Sequence, residues 1–91
     1  MITLDLKVIN EDGIHARPSS LIVESLENLN VNVTFEKKGV VADAESVLSI
    51  LLLAAAQNSL IHITITGNPS DEEKAANILK HLFSSGFKNA Y

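Results

Sequence analysis

Residues 60–67, LIHITITG, alternate without a break: Ile61, Ile63 and Ile65 fall on one side, His62, Thr64 and Thr66 on the other. Successive side chains of a strand point to opposite faces, so this pattern demands a strand with one buried and one open face. The same period recurs at residues 2–9, where Ile2, Leu4, Leu6 and Val8 alternate with Thr3, Asp5 and Lys7, and again at Val31, Val33 and Phe35. VVAD follows the turn EKKG and completes an antiparallel hairpin. Strands that are greasy on one face need a cover, and the intervening segments supply it at helical spacing. Leu21, Ile22, Leu26 and Leu29 predict a helix from near Ala16, closed by Asn28 and Asn30. A second helix starts near Ser46 and is placed to end at Asn58, a residue type that tolerates the left-handed conformation of a helix end. A third carries Ala75, Leu79 and Leu82 as far as Gly86 and opens on the capping-box spacing of Ser70 and Glu73. The order βαββαβα predicts an α+β fold, an open-faced two-layer sandwich in which three helices cover a four-stranded antiparallel sheet.

Composition narrows the class. Ninety-one residues, 46% hydrophobic and 20% charged, suit one globular domain over residues 1–91. No cysteine is present, which removes disulfides and thiolate metal sites and fits a reducing cytoplasm. MITLDLKVIN has neither a basic leader nor an apolar signal core and reads as a strand of the mature protein. The longest apolar run, ILLLAAA at residues 50–56, is too short to span a bilayer. A net charge of −4, with Lys37 and Lys38 as the adjacent basic pair, lacks the footprint of a nucleic-acid binder. The expectation is a cytoplasmic monomer with no membrane or nucleic-acid partner, no cofactor and no metal.

Against that background EDGIHARPSS, residues 11–20, stands out. It places His15 at the mouth of the first helix, where the leading N–H groups have no intrahelical partner and the dipole is positive. Gly13 permits the sharp approach, and Pro18 fits the first turn and fixes the entry geometry. Arg17 adds a planar, permanently charged donor fork suited to phosphate oxygens. Imidazole is a competent nucleophile that is partly neutral near pH 7, so it can take up a phosphoryl group and release it. The blander reading is a surface histidine serving as an imperfect helix cap; the flanking residues favour phosphohistidine.

GIHARP resembles the active-site motif of the HPr family, the histidine-containing phosphocarriers of the bacterial phosphotransferase system, and ESVLSILLL resembles its second signature, around a regulatory serine. The likeness runs end to end, with ungapped spacing from His15 to Ser46 and a terminal DEEKAANILKHLFSSGF similar to the family's last helix. It implies that His15 is phosphorylated on Nδ1 by the phosphoenolpyruvate-dependent enzyme I and donates to an EIIA-type acceptor. The protein would then be a substrate and donor for phosphotransferases, not an enzyme. Arg17 would stabilise the transferred group, and Ala16, Arg17, Pro18 and Ser20 would form its phosphate site.

Ser46 can cap the second helix, which is the ordinary role of a serine there. The resemblance adds HPr kinase/phosphorylase as a partner and Ser46 as its regulatory target, although Glu45 stands where a basic or polar residue is common and would repel an added phosphate. The second helix has more apolar faces than one core seam can hide, so either the domain packs them all or they form a partner site. The resemblance favours the latter, with Val47, Leu48 and Leu51, flanked by Ser20 and Glu24, as docking residues.

Other features separate this chain from its better-known relatives. Glu24 and Glu27 lie on a face where some HPr proteins carry lysines, and Ser49, Ala54 and Asn58 stand where many have glycine. ESVLSILLL and LFSSGF look closer to the nitrogen-branch paralogue, whose role is mainly regulatory. Two readings follow: a carrier that relays phosphoryl groups, and a regulatory phosphoprotein of a nitrogen-branch or incomplete system that controls partners by binding. A third, an unrelated anion-binding domain with a chance motif, sits poorly with full-length agreement. Ser19 or Ser20 with His15 suggests a hydrolase pair, but no orienting acid or oxyanion hole is evident. His62, expected to face solvent on its strand, and His81, on the polar side of the last helix, read as ordinary surface histidines.

Overall fold

The computed structural model describes residues 1–88 and follows the expected order: β1 (Ile2–Lys7), α1 (Ala16–Leu26), β2 (Val31–Lys37), β3 (Val40–Asp43), α2 (Val47–Leu52), β4 (Leu60–Gly67) and α3 (Pro69–Ser84). The four strands form one sheet in the order β1-β4-β2-β3, and every neighbouring pair is antiparallel. β4 is therefore interior, which is why its isoleucines are the most regular feature of the sequence. Register places Leu4, Ile63, Phe35 and Ala42 in one row across all four strands, and Ile2, Ile65 and Val33 in the next. Ile61, Ile63 and Ile65 are fully buried, and each contributes about 1.5–3 kcal/mol on the usual scale for apolar burial.

The helices cover that face. Ile22 and Leu26 of α1, Ile50 of α2, and Ala75, Ala76, Leu79, Leu82 and Phe83 of α3 enter the same core. Phe83 meets Phe35 and Phe87 edge-on, with ring centroids at 6.0 and 5.0 Å, the geometry that aligns a positive ring edge with a negative ring face. The opposite face of the sheet is open. There His62 Nδ1 lies 2.7 Å from Asp5 Oδ1, directly across the β1–β4 ladder, and His62 is exposed as its alternation predicts. His81 is likewise exposed, in the last turn of α3.

Several boundaries differ from the sequence reading: β1 stops at Lys7 and α1 at Leu26, β2 runs on through Lys37, and the end of α2 and the start of α3 move for reasons set by specific contacts. The second helix stops at Leu52 instead of Asn58. Ala54 turns left-handed at φ +50°, and the Lys37 ammonium takes the carbonyls of Leu53 and Ala54, so the chain leaves the helix six residues early. Asn58 is left-handed too, at φ +73°, but in the loop before β4. The third helix is capped by Asn68, whose Oδ1 accepts the N–H groups of Ser70 and Asp71, with Pro69 as the first helical residue. The reaching carboxylate is Glu72, not Glu73: it accepts the Gly67 N–H at 2.8 Å and pairs with the terminal ammonium at 3.2 Å. Gly67 itself is tightly placed, since a Cβ there would strike the Asn30 carbonyl oxygen and lie 2.9 Å from the Val31 Cα.

Candidate functional site

His15 is the N-cap of α1, with extended backbone at φ −91°, ψ −164°. The Ser19 N–H donates to its carbonyl oxygen at 3.0 Å, closing the first helical turn. Pro18 has no N–H to give, so the amides left facing outward at the mouth of the helix are those of Ala16 and Arg17. The helix runs for 11 residues without an acidic residue in its first turn, so no carboxylate of its own offsets the positive end of the dipole. Arg17 is exposed, and no salt bridge engages it among the described residues. His15 is half-buried beside it.

The approach to His15 is built from contacts with the segment that leaves α2. Gly13 has φ +68°, and a Cβ on it would strike the Ala55 carbonyl oxygen and sit 3.0 Å from the Ala56 Cα. Glycine is thus required twice, by conformation and by space. The Gly13 N–H donates to the Asn10 carbonyl at 3.1 Å, and Asn10 Nδ2 donates to the Gly13 carbonyl at 2.6 Å, folding residues 10–13 into a tight bend. Ile14 is buried, and its N–H donates to the Ala55 carbonyl at 2.9 Å. This bond holds the residue before His15 against the rest of the domain.

Ser19 was invisible as a support residue in the sequence. It is fully buried, and its hydroxyl donates to the His15 carbonyl at 2.8 Å. That bond directs the hydroxyl at the histidine's backbone, which removes Ser19 from any Ser/His catalytic pair. Ser20 is half-buried and shares the outward side of α1 with Arg17 and Glu24, at spacings of three and four residues.

Ser46 is the N-cap of α2, and its Oγ accepts the Ser49 N–H at 3.2 Å. Ser49 in turn accepts the Asp43 N–H, and Asp43 Oδ1 accepts the Glu45 N–H, each at 2.9 Å. Ser46 lies at the opposite end of α1 from His15. Glu45 shares a hollow with Val23, Leu26 and Glu27 near the end of α1, whereas Ala55 meets the start of that helix.

Along α2, Val47 and Leu51 are half-buried and Leu48 is 67% exposed. Leu52, which belongs to the same apolar helix but not to the expected docking set, is 72% exposed. The helix has six residues and buries only Ile50 fully, so much of its apolar surface faces out. Among the described residues, no group of three or more His, Asp or Glu side chains is arranged to hold a metal ion, and no helix is long and apolar enough to cross a membrane.

Residues 2–85 match the family model described as the PTS HPr component phosphorylation site. The chain is 34% identical over 87 residues to the phosphocarrier protein HPr of Xylella fastidiosa strain Temecula1, covering 96% of each chain. It is 34% identical over 83 residues to the phosphocarrier protein NPr of Escherichia coli K12, covering 90% of each. Among solved structures, HPr-C-His from Thermoanaerobacter tengcongensis superposes with a TM-score of 0.89 at 28% identity over 97% of both chains. A structure described as an HPr dimer from the same organism gives a TM-score of 0.65 at 28% identity, over 96% of this chain and 98% of that one.

Proposed function

This chain belongs to the HPr family of phosphotransferase-system phosphocarriers, and from that premise we propose that it accepts a phosphoryl group on His15 Nδ1 from enzyme I and passes it to an EIIA-type protein. The observation that carries the reading is the position of His15 as the cap of α1, beside the outward amides of Ala16 and Arg17 and the Arg17 guanidinium. In the neutral ring with its proton on Nε2, the Nδ1 lone pair is the nucleophile. The Nδ1–P bond forms as the bond from phosphorus to the donor's leaving atom breaks, and the acceptor's nucleophile reverses that exchange. Phosphate oxygens carrying up to two negative charges then meet two amides, a helix dipole and a guanidinium, while Pro18 and Ser20 shape the rim. Nothing in this cycle requires turnover chemistry by the carrier itself. Its groups all lie on one chain, so a single copy suffices.

Docking falls to Val47, Leu48 and Leu51 of α2 with Ser20 and Glu24 of α1, an apolar patch beside an acidic ridge. Regulation at Ser46 by HPr kinase/phosphorylase is the finer part of the reading. The supporting observation is that Ser46 caps α2 at the end remote from the segment that meets Gly13 and Ile14, so a phosphate there would alter the docking helix. Asp43 and Glu45 oppose it electrostatically. Glu24 and Glu27 favour the nitrogen-branch variant, since an acidic ridge selects a more basic partner surface than a lysine-bearing one does. The test of carriage is transfer from phosphoenolpyruvate through enzyme I to His15; enzyme I of the sugar and nitrogen branches, compared side by side, separates the two pathways.

A further inference from the structure

Lys37 closes β2 on the core-facing side, in line with Val31, Val33 and Phe35, where an apolar residue would continue the pattern. Its stem is half-buried, and its ammonium reaches the end of α2, donating to the carbonyls of Leu53 at 3.1 Å and Ala54 at 2.9 Å. Those carbonyls lie at the negative end of the helix dipole, where a cation is best placed. The next carbonyl, that of Ala55, accepts the Ile14 N–H at 2.9 Å and fits against Gly13. Three successive carbonyls are thus divided between a lysine on the sheet and the residue before His15. Between them Ala54 is held left-handed at φ +50°, a conformation that costs a residue with a Cβ free energy and needs external contacts to persist.

Resting on the assignment of His15 as the phosphoryl acceptor, we propose that Lys37 is a positioning residue for it: by clamping Leu53 and Ala54, it sets the height of the Ala55 carbonyl and hence the placement of Ile14 and His15 at the mouth of α1. It touches neither the imidazole nor the incoming phosphoryl group. Arginine preserves the charge and can bridge both carbonyls; methionine preserves the stem and removes the clamp; glutamine offers a shorter, uncharged donor.

The experiment compares wild type with K37M, K37Q and K37R by amide hydrogen exchange, by the NMR chemical shifts of the His15 ring, and by phosphoryl transfer from enzyme I and phosphoenolpyruvate. The expected result is exchange at Ile14 accelerated about tenfold in K37M and K37Q relative to Ile63 in the sheet centre, the factor set by losing roughly one charge-assisted hydrogen bond. The His15 ring signals are displaced, kcat for transfer falls with KM for the carrier little changed, and K37R restores all three. A general loss of stability would speed exchange at Ile14 and Ile63 alike. K37M or K37Q with normal Ile14 exchange or unmoved His15 ring signals overturns the proposal, as does failure of K37R to restore them. Absence of phosphoryl transfer to the wild-type chain overturns the carrier reading instead, and exchange and the ring signals still decide whether Lys37 positions His15.

Discussion

The Ile14 N–H donates to the Ala55 carbonyl oxygen at 2.9 Å, joining the residue before His15 to the chain leaving α2. The His15 loop and the segment that follows α2 are consequently joined directly, although 40 residues separate the two bonded groups in sequence.

Gly13 is the tightest point of that junction. Gly13→Ala places a methyl on the Ala55 carbonyl and an L side chain at φ +68°, so urea unfolding should show a loss of more than about 2 kcal/mol. Gly39→Ala, with φ +84° but open space around the new methyl, should cost at least about 1 kcal/mol less. Equal losses would mean that the contact with Ala55 contributes nothing.

Ala54 bears the opposite mismatch, a residue with a Cβ where glycine is preferred. Ala54→Gly should raise the free energy of urea unfolding by about 0.5–1 kcal/mol, and the midpoint with it, because relief of left-handed strain outweighs the added freedom of the unfolded chain. A lower midpoint would show that the surroundings have already absorbed the strain.

At the far end of α2, Ser46→Ala deletes the hydroxyl that accepts the Ser49 N–H and should cost about 1 kcal/mol of stability. Labelling of His15 by enzyme I should persist, since Ser46 caps the start of α2 and the His15 loop meets the segment beyond its other end. Loss of labelling in a fully folded Ser46→Ala protein would place Ser46 within the transfer site itself.

Leu48 and Leu52 separate docking from folding. Both are more than two-thirds exposed, whereas Ile50 between them is fully buried. Leu48→Ser should change stability by less than about 0.5 kcal/mol, yet weaken enzyme I binding, measured calorimetrically, about tenfold, as expected of an interface residue worth more than 1 kcal/mol. Ile50→Ala should do the reverse, costing about 2–5 kcal/mol of stability through its cavity.

What could be read in the sequence was local, and what could not was tertiary. Ile61, Ile63 and Ile65 announced a half-buried strand because period-two alternation is a property of the strand alone; that β4 lies between β1 and β2 depends on long-range pairing that no single segment encodes. His15 was legible because Gly13 and Pro18 mark a helix entrance on either side of it. The end of α2 was not, since ILLLAAA is good helical sequence throughout. The stop comes from Lys37 and Ile14, which take the carbonyls of residues 53–55 from outside the segment. A lysine ending a strand reads as a solvated charge, and Ser19 as a candidate partner for the His15 ring that lacks an orienting acid; burial and bond partners alone give them their supporting roles.

The most direct measurement is incubation of the purified chain with enzyme I and phosphoenolpyruvate, followed by intact-mass and acid-lability analysis. The account predicts one acid-labile phosphoryl group per chain, absent in His15→Ala and formed at least about tenfold more slowly in Arg17→Ala, as loss of a charge-assisted contact to phosphate requires. An unlabelled wild-type chain with an enzyme I competent toward another carrier, or equal labelling of His15→Ala, would contradict it.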